Sequence, residues 1–423
     1  MRAHGFGLSD VGKERTNNED SLLIDDSLGL YIVADGMGGH AAGEVASSNA
    51  VRIVSRALHE NNLLEMTFEQ EGDLEQAVGI VEEAVQLACR RIWEMATSGQ
   101  GFAGMGTTLT LLLVAGTKGI MVHVGDSRIY MARGGKIHQL SDDHTFTAEL
   151  VRNGVFTPEQ AQKSPYAHVL TRALGKSEKV QVDTLVFDVL PGDTFLLCSD
   201  GLTTYLDGAE MIGYLGADDI RSLPRRFVDL ALERGGEDNI TTVVARMSTD
   251  EGLTLDQEMY CTRVQTQFDT LQRVSLLRQV SMAGLVQVLD ISREVILYPG
   301  EHAIVEGELC TSLIIILEGS MSVIRQGALV TTLGAGHHAG DMSCLRQRPS
   351  TATLQAQTTS RCLIVHFESL QRLIRKDPRL GIQLLQNLGE ALSDRLDSTT
   401  SRLLSAASSE DTLQGLPAAL LTP

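Results

Sequence analysis

Cysteine is scarce in this chain of 423 residues, and so are long apolar runs. The six cysteines form no C-x2-C pair, which excludes a zinc knuckle and a dense disulfide framework and predicts reduced thiols. The richest apolar runs, near residues 109–115 and 313–317, are much shorter than the roughly 20 residues that span a bilayer. Because the first residues also carry no apolar signal core, we expect a cytoplasmic protein without a membrane anchor.

Aromatic residues and positive charge are also in short supply. Aromatics make up 4% of the chain, and Lys plus Arg number 35 against 54 Asp plus Glu, a net charge of −19. Without basic and aromatic residues in alternation, the chain has no base-stacking platform, and its acidity disfavours a polyanionic partner. Nucleic-acid binding is therefore not expected. The excess of carboxylates suits hard metal cations instead.

The length and patterning predict two folded domains joined by a helix. Hydrophobic residues at 43% and charged residues at 21% are typical of a globular chain, and its length suggests two or three domains. Residues 1–247 alternate short β-like runs with two amphipathic helices, near 41–60 and 73–97, and form one mixed α+β domain. Residues 248–275 are a linker and a helix with Val264, Phe268 and Leu271 on one stripe. That stripe predicts packing on a neighbouring domain, with an interdomain rod or a homodimer seam as the alternatives.

The C-terminal third predicts a second, all-β body. Short β runs punctuated by glycines return from about residue 293 to 366, a rhythm typical of a compact antiparallel roll. Residues 367–396 have a helical pattern, so the second domain covers residues 276–396. Residues 397–423 show no clear period, and we expect them to be unordered.

Four aspartates fall at the ends of strand-like runs: Asp35, Asp126, Asp200 and Asp238. Any single Asp-Gly pair is explained by turn preference alone. Four such residues are harder to explain as turns, because strands that share a sheet bring their ends together and clustered carboxylates repel unless cations neutralise them. All-oxygen ligation selects Mg²⁺ or Mn²⁺ over zinc. Two such ions about 3.5–4 Å apart activate a water for attack on phosphorus, so the pattern predicts phosphate-ester hydrolysis.

Eight motifs are spread over residues 4–247. They are VGKERTNNEDS (11–21), VADGMGGHAAGEVAS (33–47), GMGTTL (104–109), VGDSR (124–128), SDDHT (141–145), TRALG (171–175), SDGL (199–202) and DNIT (238–241). In these motifs and their order, residues 4–247 resemble a known family, the bacterial metal-dependent serine/threonine protein phosphatases of type 2C. The resemblance implies a four-layer α-β-β-α sandwich, which would precede the β-roll and its flanking helices.

The resemblance also implies roles for individual residues. Asp35 bridges two Mn²⁺ or Mg²⁺ ions, one completed by the Gly36 carbonyl and the other by Asp200 and Asp238. A third, weaker ion lies between Asp126 and Asp200. Asp20 belongs to the metal centre, where it and Glu19 orient coordinated waters.

Three further positions carry expectations from the same resemblance. Arg15 clamps the substrate phosphate, with a surface ion pair as the alternative. Met37 stands where the eukaryotic branch has a histidine proposed as general acid, so that role does not transfer, and His40 is expected to cap or pack. Residues 142–166 correspond to a variable flap, predicted as short helices broken at Gly154 and Pro158.

The C-terminal third contains the motifs YPGE (298–301), LEG (317–319), LGAG (333–336) and GD (340–341). With these motifs, residues 276–396 resemble the cyclic-nucleotide-binding domain. Its ligand site would lie at Gly340, Asp341 and Ser350, but Ser350 stands where that family has the arginine that neutralises the cyclic phosphate. We therefore expect a degenerate, protein-facing or dimerising role, with a true cyclic-nucleotide sensor as the alternative. The leading hypothesis for the whole chain is a phosphoprotein phosphatase whose C-terminal domain regulates or targets it. The alternative is an inactive scaffold that binds phosphorylated partners.

Overall fold

The computed structural model describes residues 1–38, 41–61, 63, 71–99, 102–217, 219–249, 252–341 and 348–409. Contacts divide the chain into two units. The first comprises Met1–Val264 and Ser281–Val286, and the second comprises Gln265–Val280 and Gln287–Pro423. His40, which was expected to cap or pack, lies outside the described residues.

The first unit contains two antiparallel sheets with helices between their strands. Its strands are β1 (Arg2–Asp10), β2 (Asp20–Asp25), β3 (Leu30–Met37), β4 (Gly106–Thr107), β5 (Leu109–Ala115), β6 (Lys118–Val124), β7 (Arg128–Arg133), β8 (Lys136–Gln139), β9 (Asp183–Asp188), β10 (Thr194–Cys198) and β11 (Ile240–Ser248). Its helices are α1 (Ala41–Glu60), α2 (Glu71–Thr97), α3 (Phe146–Arg152), α4 (Pro158–Gln162), α5 (Asp200–Thr203), α6 (Gly208–Leu215) and α7 (Leu223–Arg234). One sheet has the order β1-β11-β10-β7-β8, and the other β2-β3-β5-β6-β9, with β4 paired to β3.

Each sheet buries one face under helices. The small and branched stripe of α1 and α2, which includes Ala46, Ala50 and Val85, packs on β3, β5 and β6. Helices α6 and α7 cover the sheet that contains β10 and β11. The opposite faces of the two sheets meet each other, as the rings of Phe187 on β9 and Phe195 on β10, 5.9 Å apart, illustrate. The predicted mixed α+β class and the two predicted helices are confirmed.

Two antiparallel sheets of four strands form the core of the second unit, in the orders β12-β19-β14-β17 and β13-β18-β15-β16. Their strands are β12 (Ser292–Leu297), β13 (His302–Ile304), β14 (Ser312–Glu318), β15 (Ser320–Arg325), β16 (Ala328–Gly334), β17 (His338–Ala339), β18 (Thr353–Ala356) and β19 (Ser360–His366). Ile314, Ile316, Leu354 and Cys362 lie in its apolar centre. This β-rich region agrees with the predicted roll.

The helices outside the two β regions are α8 (Leu255–Leu271), α9 (Met282–Asp290), α10 (Phe367–Lys376) and α11 (Pro378–Ser409). Val264, Phe268 and Leu271 of α8 are buried. The predicted packing of this stripe on a neighbouring domain stays a prediction. No helix among the described residues is long and apolar enough to cross a membrane.

The prediction for the C-terminal end is confirmed for residues 367–396 and wrong for the residues that follow. The stretch 367–396 is helical, in two helices, because Pro378 cannot continue α10 and instead begins α11. The helix α11 then runs to Ser409, through residues that were expected to be unordered. Its sequence from Glu390 to Ser409 contains neither glycine nor proline, so no residue there breaks the helix. The predicted domain limits at 247, 275 and 396 stay predictions.

Candidate metal centre and active-site cleft

The fold gathers the predicted metal-site residues at one end of the two facing sheets. Asp20 and Asp35 are directly opposite each other on β2 and β3. Asp126 follows β6, Asp200 begins α5, and Asp238 precedes β11. A cleft of about 540 Å³ opens here, and its walls include all of the predicted residues except Asp20, namely Arg15, Glu19, Asp35, Gly36, Asp126, Asp200 and Asp238.

Asp20 lies beside this cleft, buried rather than exposed. Its Oδ2 accepts a hydrogen bond of 2.8 Å from the Ser199 hydroxyl, which belongs to the SDGL motif. Its Oδ1 is buried and has no hydrogen-bond partner among the described residues. A buried carboxylate oxygen without a donor is costly, so this atom fits a site that a cation or a coordinated water completes.

The carboxylates of the cleft oppose one another's ionisation. Burial is the largest cause that raises the pKa of Asp20, which reaches about 7. The hydrogen bonds from Thr241 and Ser199 lower this pKa, and the negative charges of Asp200 and Asp238 raise it further. Burial, followed by the charges of Asp20 and the other cleft aspartates, raises the pKa of Asp35 well above its usual range. Burial also raises the pKa of Asp126, with Asp200 the largest charge acting on it. Such a cluster is stable in its charged form only when divalent cations lie among the oxygens.

Most side chains of the cleft that could bind a metal ion offer oxygen, and the exceptions are the imidazole of His168 and the thioether of Met37. The oxygen ligands are the carboxylates of Glu19, Asp35, Asp126, Asp200 and Asp238, the hydroxyls of Thr108 and Thr171, and the amide of Asn239. Oxygen donors in this number match Mg²⁺ and Mn²⁺, which prefer carboxylates, carbonyls and water. The residues present therefore fit the ions that the sequence predicts. Asp20, Asp35, Gly36, Asp126, Asp200 and Asp238 are the residues that would hold or surround them.

The end of β3 is held in place by the GMGTTL motif. The Asp35 amide donates to the Thr108 hydroxyl at 2.8 Å, and the Thr108 amide donates to the Asp35 carbonyl at 2.8 Å. The Thr107 hydroxyl donates to the same carbonyl. Three hydrogen bonds thus fix the backbone of the residue predicted to bridge the two ions.

Asn239 ties the N-terminal loop to the same cleft. Its side-chain oxygen accepts from the Glu19 amide at 2.8 Å, and its side-chain nitrogen donates to the carbonyls of Val11 and Asn17, each at 2.9 Å. This one buried amide therefore positions the loop that carries Arg15 and Glu19. The DNIT motif contains Asn239, but the sequence alone assigned it no role.

Arg15 lies at the rim of the cleft and is more than half exposed. Its Nη2 donates to Asp238 Oδ2 at 2.8 Å. The guanidinium is thus close enough to the carboxylates to meet a phosphate bound there, but in this structure it is paired with an aspartate. Its predicted phosphate contact stays a prediction.

The second unit has a cavity of its own, of about 760 Å³. Gly340, Asp341 and Ser350, the predicted ligand positions, all line it. Asp341 and Ser350 are buried, and the Ser350 hydroxyl has no hydrogen-bond partner among the described residues. The imidazole of His338 lies 3.3 Å from the Asp341 carboxylate. The structure therefore brings these three residues together around one space.

Comparison with known families assigns the part of the chain that contains the aspartate cleft. The family model described as "Protein phosphatase 2C" matches residues 12–238, just over half of the chain. The chain belongs to the protein phosphatase 2C family. The model of the cyclic nucleotide-binding domain matches residues 294–377.

Named relatives of this phosphatase 2C family member are serine/threonine phosphatases. The serine/threonine phosphatase stp of Listeria monocytogenes is 39% identical over 256 residues, which are 59% of this chain and 98% of the Listeria protein. The serine/threonine protein phosphatase PstP of Mycobacterium tuberculosis is 38% identical over 237 residues, 56% of this chain and 43% of PstP. These alignments agree with the family assigned from the motifs.

Solved structures give the same result. The crystal structure of the M. tuberculosis phosphatase PstP/Ppp aligns with a TM-score of 0.53 at 35% identity, covering 59% of this chain and all of that one. The catalytic domain of PstP in complex with two manganese ions aligns with a TM-score of 0.51 at 35% identity, covering 59% of this chain and 99% of that one. The aligned part of this chain therefore has the phosphatase 2C fold that the resemblance implies.

Sequence reasoning missed several cleft residues of this phosphatase unit. His168, Arg172 and Lys176 line the cleft beside the aspartates. Arg172 lies inside the TRALG motif, and its guanidinium donates to Asp183 at 2.7 Å. The motif was therefore a signal that could have identified Arg172. His168 and Lys176 lie outside every motif, so only the fold places them here.

The flap segment 142–166 contains α3 and α4 and borders a second cleft, of about 550 Å³. A bidentate ion pair joins Arg128 to Asp143, with Nε 2.9 Å from Oδ1 and Nη2 2.7 Å from Oδ2. This pair fixes the base of the flap to the start of β7. The two helices are separated between Arg152 and Pro158, as predicted. Asp126, His168 and Asp200 line both clefts.

Replacing Gly36 by alanine tests how closely the chain packs around the metal centre. A Cβ at this position would lie 2.2 Å from the Gly43 carbonyl oxygen and 2.5 Å from that of Glu19, both backbone atoms that must move. Since Gly36 follows Asp35, we expect kcat/KM to fall about 100-fold, the effect of a displacement near 1 Å. The matched control is Gly79→Ala in α2, where nothing lies within 4 Å and alanine favours the helix. Equal activity in both variants, measured by steady-state kinetics, would contradict the packing argument.

Proposed function

We propose that this chain is a metal-dependent protein serine/threonine phosphatase that hydrolyses phosphoserine and phosphothreonine. The observation that carries the proposal is the cleft in which Asp35, Asp126, Asp200 and Asp238 converge. Beside it lies a buried oxygen of Asp20 for which the described part of the chain offers no hydrogen-bond partner. The named relatives with this fold are serine/threonine phosphatases, and one related structure holds two manganese ions. Phosphorylated proteins are accordingly the proposed partners.

The proposed roles follow from position and charge. Asp35 would bridge the two principal ions, with the Gly36 carbonyl, Asp200 and Asp238 completing them, and Asp126 with Asp200 would hold a third. Bound Mn²⁺ or Mg²⁺ would supply a water of lowered pKa as the nucleophile. Asp20 and Glu19 would orient coordinated waters around this centre.

Arg15 is the proposed binding group for the substrate phosphate at the rim of the cleft. Arg15 lies there on the loop that Asn239 holds, and its planar fork can bind two phosphate oxygens once it leaves Asp238. Met37 lines the same cleft and has no proton to donate, so it cannot protonate the leaving serine or threonine oxygen. The proton must come from another donor in the cleft.

Metal removal tests the proposal directly. The full chain should hydrolyse p-nitrophenyl phosphate and a phosphothreonine peptide in Mn²⁺ or Mg²⁺, lose this activity in a chelator, and regain it when metal returns. Hydrolysis that survives complete chelation would contradict a metal-dependent mechanism. Binding of the phosphopeptide without turnover in saturating metal would instead support the scaffold alternative.

The second unit is proposed to regulate or target the phosphatase unit. Ser350 offers its cavity a hydroxyl where the cyclic-nucleotide-binding family has an arginine, and a hydroxyl cannot neutralise a cyclic phosphate. We therefore expect no saturable heat signal when cyclic AMP or cyclic GMP is titrated into the full chain at micromolar concentrations. Saturable binding of either nucleotide would establish the sensor alternative. The predicted cytoplasmic location belongs to the same proposal, and cell fractionation tests it.

A further inference from the structure

The imidazole of His168 lies beside two of the cleft aspartates. His168 is in the segment that follows the flap, and it lines both the main cleft and the flap cleft. Its Nδ1 is 3.4 Å from Asp200 Oδ2. One ligand atom from each of His168, Asp126 and Asp200 can be chosen so that all three lie within 4.8 Å of one another.

These distances suit a shared metal ion. Ligand atoms about 2.1 Å from an octahedral ion lie about 3.0 Å apart when adjacent and about 4.2 Å apart when opposite. The 3.4 Å between the His168 nitrogen and the Asp200 oxygen lies within that interval. Only small side-chain movements are needed to bring the three atoms around one ion, and His168 is free to make them because its side chain is 72% exposed.

We propose that His168 supplies a nitrogen ligand to the ion held by Asp126 and Asp200. The inference rests on the proposed function, since that function places an ion between these two carboxylates. In this structure His168 Nδ1 and Asp200 Oδ2 already face each other at 3.4 Å, so the imidazole is on the side of the cleft where that ion would lie.

The nitrogen ligand would set the metal preference of this position. The main pair of ions is surrounded by oxygen donors, which accept Mg²⁺ and Mn²⁺ alike. Imidazole favours transition metals, and among these Mn²⁺ is the one that carboxylate-rich sites also accept. We therefore expect the position at His168 to bind Mn²⁺ in preference to Mg²⁺. Because His168 also borders the flap cleft, the ion would join the flap side of the cleft to Asp126 and Asp200.

Electron paramagnetic resonance on the Mn²⁺-loaded full chain tests the nitrogen ligand without depending on turnover. The protein is labelled with ¹⁵N in histidine alone, so that a hyperfine coupling from ¹⁵N reports an imidazole bound to Mn²⁺. We expect this coupling in the wild-type protein and its loss in His168→Gln and His168→Asn. The matched control is His59→Gln, because His59 also pairs with an aspartate, Asp25, but lies outside both clefts. It should keep the coupling.

A titration of Mn²⁺ followed by the signal of the free ion gives the second measurement. Loss of a direct ligand should raise the dissociation constant of the weakest Mn²⁺ binding step at least about tenfold. Even the loss of a residue that only hydrogen-bonds to a metal ligand lowers metal affinity by at least about this factor. A coupling that persists in both His168 variants, or an unchanged weakest step, would overturn the inference. A wild-type protein that binds neither Mn²⁺ nor Mg²⁺ would overturn the proposed function instead, and one that binds Mg²⁺ but not Mn²⁺ would refute only the inference. Mn²⁺ binding without any ¹⁵N coupling would leave the proposed function intact and refute only the ligand role of His168.

Discussion

We expect Asp35→Asn to remove nearly all turnover and to leave the fold intact. Asp35 lies at the end of β3, opposite Asp20 and within the cleft shared by Asp126, Asp200 and Asp238. A neutral amide is a poor bridge between two cations, so the nucleophilic water would lose the environment that lowers its pKa. We expect kcat/KM for a phosphothreonine peptide to fall at least about 1,000-fold, because the variant would hold much less of the metal-activated water that attacks phosphorus.

Metal-dependent stability separates this effect from unfolding. Neighbouring carboxylates oppose the charge of Asp35, so Asp35→Asn should melt no lower than the wild type in the absence of metal. Mn²⁺ at about 100 times its Kd should stabilise the wild type by about 2.7 kcal/mol, and the variant should lose most of that gain. Asp207→Asn is the control, because Asp207 caps α6 and asparagine caps a helix equally well. Normal turnover by Asp35→Asn would refute the two-metal centre.

Asp193→Ala produces the largest expected loss of stability in the phosphatase unit. Arg133 and Asp193 form an ion pair whose side chains are only 4% and 2% exposed. Arg133 Nε donates to Asp193 Oδ1 at 2.8 Å, and Asp193 Oδ2 also accepts from the Leu190 amide at 2.7 Å. Removing one partner of a buried pair leaves the other charge uncompensated, which costs about 3–5 kcal/mol of unfolding free energy.

Urea unfolding followed by tryptophan fluorescence measures this loss. The chain has a single tryptophan, Trp93, and it lies in α2, so its emission reports on the phosphatase unit. Glu60→Ala is the control, since it breaks a surface pair with Arg56 in which both side chains are mostly exposed, and its midpoint should not move. Changing both buried partners, as in Arg133→Met with Asp193→Leu, should recover much of the loss. An unshifted midpoint in Asp193→Ala would show that the buried pair does not stabilise the unit.

The sequence by itself was sufficient for features that depend on neighbouring residues. The helix from Ala41 to Glu60 was predicted at its observed limits, because its small and branched residues repeat at helical spacing and nothing breaks the pattern. The aspartates could be placed at strand ends because each of them borders a short apolar run typical of a strand. Their convergence followed from the ordered motifs, and the structure brings Asp35, Asp126, Asp200 and Asp238 to one cleft.

Features without a local pattern were missed. The tail was expected to be unordered because its Ser, Thr, Leu and Ala residues show no clear period, yet α11 continues to Ser409. Amphipathic periodicity marks a buried face, and a segment can stay helical without one when no residue terminates it. Asn239 was likewise quoted in a motif without a role, because the loop it holds is more than 200 residues away in the chain.

The sequence determined the family and the α+β class and singled out the aspartates that share the cleft, because spacing and motif order are written along the chain. Only the tertiary structure decided which oxygen of Asp20 lacks a donor, that Arg15 pairs with Asp238, and that His168 faces Asp200. Each of these contacts joins residues from different elements, and the register of the sheets and the paths of the loops set their distances. Residue spacing along one segment carries no information about such distances.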